Sequence, residues 1–223
     1  MHSAAVLFDL DGTLADTAPD LGAALNRLLE EEGRSALPME ILRPHVSGGA
    51  RSLIQAGFAR VPGDDDFPRL TTRFLEHYAA SLCVATELFP GVLAMLEVLE
   101  QRGLKWGIVT NKAQRFALPL VEQLGLRRRA ACIVSGDTAL RPKPHPAPLL
   151  LACAALQESP VSVSYVGDDR RDIVAGRAAG LSTVTAAYGY LGGEDHYATW
   201  QADAVIDQPG DLLALLGKPE YYG

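Results

Sequence analysis

Two carboxylates one residue apart close the first apolar run of the chain, where Ala4-Ala5-Val6-Leu7-Phe8 gives way to Asp9-Leu10-Asp11-Gly12-Thr13-Leu14. A short apolar block stopped by turn residues reads as a buried parallel strand. The carboxyl ends of such strands border the ligand crevice of an open α/β sheet. Asp9 and Asp11 alternate, so an extended chain aims both side chains the same way, and Gly12 permits a tight turn after them. Two acids so placed can divide labour, one as nucleophile and metal ligand, the other as proton carrier. An isolated Asp-x-Asp pair suits a polar turn equally well, so the chemistry rests on what lies downstream.

Three later segments repeat the arrangement of an apolar strand ending in polar groups. Trp106-Gly107-Ile108-Val109 runs into Thr110-Asn111-Lys112, a hydroxyl and an amide. The strand near Ile133 is followed by Arg141-Pro142-Lys143-Pro144, and Val163-Ser164-Tyr165-Val166 by Gly167-Asp168-Asp169-Arg170-Arg171-Asp172. Taken singly, these are a helix cap, a solvated loop lysine and a turn. At successive strand ends they converge on one crevice as an acid pair, a hydroxyl, a lysine and a second acid cluster. Phosphoryl transfer needs such a set: an in-line nucleophile, a divalent cation and donors for three equatorial oxygens.

The elements that must position these groups follow from hydrophobic periodicity. From Phe89 onward strands alternate with helices, predicting an α/β fold with a doubly wound parallel sheet. Strands are expected at 106–109, 132–134, 163–166 and 182–185, with an edge strand at 204–206. Helices are expected around Val92 to Leu99, Phe116 to Leu124, at 146–156, 172–179 and 211–216. Residues 17–85 show no strand pattern. Leu21, Ala24, Leu25, Leu28 and Leu29 form a helical stripe, Pro44 is expected to stop a short helix at 38–43, and further helices cover 50–59 and the stretch to Tyr78. The expected organisation is a catalytic core of residues 1–16 and 86–223, carrying an inserted all-helical cap of residues 17–85.

The 223 residues suffice for a sizeable core, and 48% apolar with 21% charged residues is ordinary for a folded domain. The net charge of −7 argues against nonspecific binding to nucleic acid or an anionic membrane. Cys83, Cys132 and Cys153 are too few and too scattered for a disulfide framework or a metal site, and read as reduced core residues. No signal peptide or membrane span is visible, so a cytoplasmic protein is expected.

The four motifs, in order, resemble those of the haloacid dehalogenase superfamily, in the phosphoglycolate phosphatase-like branch with a helical cap. Motif one is Asp9-Leu10-Asp11-Gly12-Thr13-Leu14-Ala15-Asp16, motif two Thr110-Asn111, motif three Lys143, and motif four Gly167-Asp168-Asp169 with Asp172. The resemblance covers essentially the whole chain and implies a phosphomonoester hydrolase. Asp9 would attack phosphorus and form an aspartyl-phosphate, and Asp11 would act as acid and then base. Mg²⁺ would be held by Asp9, the Asp11 backbone carbonyl and Asp168. Thr110 and Asn111 would bind phosphate oxygens, and Lys143 would neutralise charge on Asp9 and the transferred group. Asp172 would support the metal waters or Lys143, while Asp169 either assists the metal through water or faces solvent. Asp16 is read as a hinge or helix-start acid.

Substrate choice is assigned to the cap. Ser47, Gly48 and Gly49 would offer N–H groups at a helix start, and Arg51 a planar fork for a carboxylate. His45, beside this loop, is a further candidate for substrate contact, whereas His2, His77, His145 and His196 read as surface or packing residues. Within the branch, the segments around these residues and Tyr188-Gly189-Tyr190 resemble N-acetylmuramic acid 6-phosphate phosphatases, enzymes of bacterial cell-wall recycling. The implied substrate is a small phosphate ester bearing a carboxylate, either that amino sugar or 2-phosphoglycolate. Tyr188 and Tyr190 would face the sugar or pack at the rim. A monomer or weak dimer is expected. The alternatives are a β-phosphoglucomutase-like phosphotransferase and, outside enzymes, a catalytically silent binding protein on the same scaffold.

Overall fold

Strand β1, Ala5–Phe8, is buried along its whole length because each of its faces meets a different helical layer. Val6 and Phe8 enter one apolar cluster with Trp106 and Leu96, whereas Ala5 and Leu7 enter another with Leu149 and Tyr165. This is the period-2 alternation of a strand buried on both faces. The computed structural model describes residues 3–192 and 195–216, so His2 lies outside the described residues.

Six strands form the main sheet, β1 with β4 (Lys105–Val109), β5 (Cys132–Val134), β6 (Val163–Gly167), β7 (Ser182–Ala186) and β8 (Ala204–Ile206). Their order is β5-β4-β1-β6-β7-β8, and every pairing is parallel. The chain builds outward on one side of β1, then crosses back to build on the other. β1 therefore stands at the point where the winding reverses, which is where open α/β sheets bind ligands. The connecting helices are α5 (Val92–Gln101), α6 (Gln114–Gln123), α7 (Ala147–Leu156), α8 (Arg170–Ala179) and α9 (Leu212–Leu215).

Between β1 and α5 the chain leaves the sheet and returns. It departs through β2 (Ala15–Asp16) and re-enters through β3 (Glu87–Leu88), which pair antiparallel. The insertion between them holds α1 (Ala18–Glu31), α2 (Met39–Leu42), α3 (Gly49–Phe58) and α4 (Phe67–Ala80). The stripe from Leu21 to Leu29 is buried against Phe58, Phe74 and Tyr78, giving this helical cap its own apolar cluster. Asp20 on α1, also buried, accepts N–H bonds from Val84, Ala85 and Thr86 and the Thr86 hydroxyl, which fixes the returning limb beside the departing one.

Two local expectations are corrected. Pro44 does not end helical structure: α2 passes directly into a 3-10 turn, Arg43–Gly48, with Pro44 in its first turn, where the missing N–H has no intrahelical partner to lose. The two-residue strands β2 and β3 form where no strand was expected. Cys83, Cys132 and Cys153 are free thiols, and among the described residues no helix is long and apolar enough to cross a membrane.

Candidate active site

Asp9 follows β1 directly, its N–H bonded to the Val166 carbonyl of β6, so the strand register delivers it to the sheet's carboxyl edge. Asp9 Oδ1 accepts the Leu10 N–H at 2.8 Å and meets Lys143 Nζ at 2.9 Å. Oδ2 has no hydrogen-bond donor among the described residues. Burial pushes the Asp9 carboxyl up to about 7, against the pull of Lys143 and with Asp172 and Asp11 adding to the rise.

Lys143 is the hub beneath Asp9. Its Nζ, almost wholly buried, also meets Asp172 Oδ1 at 2.7 Å and donates to the Tyr165 hydroxyl at 2.7 Å and the Val109 carbonyl at 3.0 Å. Burial opposes its charge, yet Asp172 and Asp9 outweigh burial and hold the ammonium above its ordinary range. Asn111 positions the lysine: its Nδ2 donates to the Lys143 carbonyl and its Oδ1 accepts the Lys143 N–H, both at 2.9 Å. One Nδ2 hydrogen and the Oδ1 of Asn111 are thus committed to protein, the second Nδ2 hydrogen is not, and Thr110, whose hydroxyl accepts the Lys112 N–H at 3.1 Å, lines the cavity beside it.

Asp168, with no exposed surface, ends β6. Its Oδ1 accepts the Thr13 hydroxyl at 3.0 Å and its Oδ2 the Tyr190 N–H at 2.9 Å. Burial drives its carboxyl well above the usual carboxylate range, and Asp9 and Asp172 push the same way. The backbone must come very close here. Gly12 has φ +85°, and a Cβ on it would fall 2.1 Å from Asp168 Oδ2. Only glycine fits that turn. One oxygen from each of Asp9, Asp168 and Asp172 lies within 4.8 Å of the others. Three acids face one lysine, a charge imbalance that a hard, oxygen-seeking divalent cation would relieve, so the donor set fits such an ion. Asp172 has little left to offer it, because Lys143 and Tyr165 lie on its Oδ1 and the Asp169 N–H on its Oδ2. Asp9 and Asp168 are the freer ligands.

Asp11 sits one step outward. Its Oδ1 accepts the Thr17 hydroxyl at 2.6 Å and meets Lys112 Nζ at 2.7 Å. Burial works against the charge of Lys112, but Asp11 and the Tyr78 side chain raise its affinity for the proton, and Nζ lies 4.9 Å over the Tyr78 ring of α4. Asp169 caps α8 through the Arg171 N–H, and its two oxygens grip the Arg171 guanidinium at 2.8 and 2.9 Å. It therefore does not face solvent. Arg171 reaches on to the Ser47 carbonyl of the cap.

A cavity of about 400 Å³ opens over Asp9 between sheet edge and cap. Asp9, Asp11, Thr110, Asn111, Lys143, Asp169, Asp172, Ser47, Gly48 and Gly49 all line it, with Asp168 packed behind Asp9. Arg51 does not line it. One residue beyond Ala50, it lies on the exposed side of α3, and the cations on the wall are Lys112, Arg115, Lys143 and Arg171. His45 is likewise absent from the wall and bonds Ser52. Tyr188 and Tyr190 turn away from it: the Tyr188 hydroxyl donates to the Thr13 carbonyl, and the Tyr190 hydroxyl accepts the Thr17 and Ala18 N–H groups. Lys112, Tyr165, Thr17 and Arg171 had been given no role from sequence. The one available signal was a polar tip, Tyr165, inside a buried central strand whose other polar residue is Ser164.

Residues 6–186 match the family model of the haloacid dehalogenase-like hydrolases. The chain belongs to this family. It is 45% identical over 216 residues to an N-acetylmuramic acid 6-phosphate phosphatase of Pseudomonas putida, covering 97% of each chain. It is 46% identical over 218 residues to a phosphoglycolate phosphatase of Xanthomonas campestris pv. campestris, again with 97% of each chain covered. Among solved structures, that of a predicted phosphoglycolate phosphatase from Haemophilus somnus superposes with a TM-score of 0.86 at 27% identity, over 97% of this chain and 99% of the other. The family member described here is accordingly a phosphatase, with the doubly wound core and helical cap of its relatives.

Proposed function

We propose that this phosphatase hydrolyses a small carboxylate-bearing phosphate ester, N-acetylmuramic acid 6-phosphate ahead of 2-phosphoglycolate, by way of an aspartyl-phosphate on Asp9. The cavity carries this reading. At about 400 Å³, it falls in the range of clefts that bury a ligand of drug-like size, and a two-carbon acid would leave most of it unfilled. Its cap-side wall is apolar, with Leu21, Val46, Phe74, Leu75 and Tyr78, suited to a ring and its acetyl methyl group.

In this mechanism Asp9 Oδ2, which lacks a protein donor, attacks phosphorus in line as the ester P–O bond breaks. Asp11 gives its proton to the departing alkoxide, then takes one from the water that opens the acyl phosphate and regenerates Asp9. Lys143 balances charge on Asp9 throughout, held in place by Asn111, Asp172 and Tyr165. The Thr110 hydroxyl binds a phosphoryl oxygen. Mg²⁺, seated by Asp9, Asp168 and the Asp11 backbone carbonyl, supplies the positive charge that lets an anionic nucleophile approach an anionic phosphate.

The test is phosphate release from N-acetylmuramic acid 6-phosphate and 2-phosphoglycolate, compared as kcat/KM with Asp9→Asn as the blank. The amino sugar is expected to be preferred by at least tenfold. Equal or better turnover of 2-phosphoglycolate would contradict the substrate, and turnover by Asp9→Asn near the wild-type rate would contradict the nucleophile.

A further inference from the structure

Four cationic side chains line the cavity, and three are neutralised where they stand. Lys143 meets Asp9 and Asp172, Lys112 meets Asp11, and Arg171 grips Asp169. The fourth, Arg115, forms no salt bridge among the described residues. It occupies the first turn of α6, where the unpaired N–H groups of a helix make a positive charge unfavourable. The acid at that helix start, Asp137, accepts the Gln114 N–H.

An aromatic face holds Arg115 instead. Its Cζ lies 4.6 Å over the Phe116 ring, and Phe116 is buried against Tyr78 with ring centroids 5.5 Å apart. Stacking fixes a guanidinium plane without occupying its N–H donors. Arg115 is exposed and also borders the neighbouring groove between α4 and α6, so it stands at the cavity's rim. An oriented, unneutralised fork in that position suits a planar anion.

We propose that Arg115 is the specificity-determining residue that receives the substrate's carboxylate, an inference that rests on the substrate class read above. The cap arginine chosen from sequence, Arg51, does not line the cavity, whereas Arg115 stands on its rim.

The experiment compares matched esters with and without the carboxylate: N-acetylmuramic acid 6-phosphate against N-acetylglucosamine 6-phosphate, and 2-phosphoglycolate against 2-hydroxyethyl phosphate. Ratios of kcat/KM are measured for the wild type, Arg115→Gln and Arg115→Lys. The preference for the carboxylate is expected to fall roughly 10- to 100-fold in Arg115→Gln, through KM more than kcat. Arg115→Lys should recover part of it, since the charge returns without the fork. A ratio that survives in Arg115→Gln, including one preserved because both esters lose equally, overturns the assignment. A wild type indifferent to the carboxylate in both pairs overturns the substrate reading itself, and that outcome is visible before any variant is made.

Discussion

Asp9 is held in a conflict that the protein alone does not resolve. Burial pushes its carboxyl from 3.8 up to about 7, so between those values the folded chain keeps a proton that the unfolded chain has lost. Stability from this group therefore falls as pH rises through that window, and the loss is complete above about 7. Metal-free protein is expected to melt lower at pH 8 than at pH 5, with Asp9→Asn flattening the slope. Mg²⁺ should raise Tm more at pH 8 than at pH 5, because cation and proton compete for the same oxygens. Thermal melts with and without Mg²⁺ check both, and a variant that keeps the full wild-type slope would remove Asp9 from the account. The acids and Lys143 were legible in the sequence because each stands at a strand end, where type and spacing carry the chemistry. Arg51 misled for a physical reason. Charge is visible in a sequence, but which side of α3 faces the cavity is not, and one residue beyond Ala50 the helix has already turned Arg51 to its exposed side.

Elements with a long period were equally legible. The stripe from Leu21 to Leu29 and the apolar runs of β1, β4 and β6 announce their faces, because burial on one or both sides must repeat along the chain. β2 and β3, at two residues each, have no period to detect, and their pairing of Ala15 with Leu88 exists only once the insertion has folded. Asp20 belongs to the same class. At the start of α1 it reads as an ordinary acid favoured by the helix dipole. In the fold it is a buried receiver for three successive backbone N–H groups and the Thr86 hydroxyl. Asp20→Ala leaves the buried Thr86 N–H and hydroxyl without an acceptor, and is expected to cost about 3 kcal/mol. Urea unfolding measures it, and a change within about 0.5 kcal/mol, the range of ordinary surface substitutions, would show that water replaces the carboxylate.

Across the whole molecule, the acid cluster, the limb that enters the cap and the cap itself meet at one residue. The Tyr190 backbone N–H donates to Asp168, and its hydroxyl accepts the Thr17 and Ala18 N–H groups where the chain enters the cap, while donating to Asp16 at 2.9 Å. Arg43, from the cap, lies over the ring at 5.4 Å and pairs with Asp16 at 2.7 Å. The loop after β7 thus anchors the departing limb of the insertion to Asp168, one of the carboxylates that fit a divalent cation. Tyr190→Phe isolates the hydroxyl, because the ring and its packing against Phe89 remain. The variant leaves the buried Thr17 N–H without an acceptor and takes a donor from Asp16, while the Ala18 N–H keeps Asp16 Oδ1 at 3.3 Å, so it is expected to lose about 2 kcal/mol. Tyr188→Phe supplies the comparison, since that hydroxyl only donates to the Thr13 carbonyl and should cost about 1 kcal/mol. Urea unfolding of both variants separates the cases. Equal losses would mean that the Tyr190 hydroxyl holds the start of the cap no more firmly than an ordinary buried hydrogen bond, whereas the larger loss at Tyr190 follows if the buried Thr17 amide and Asp16 both depend on it.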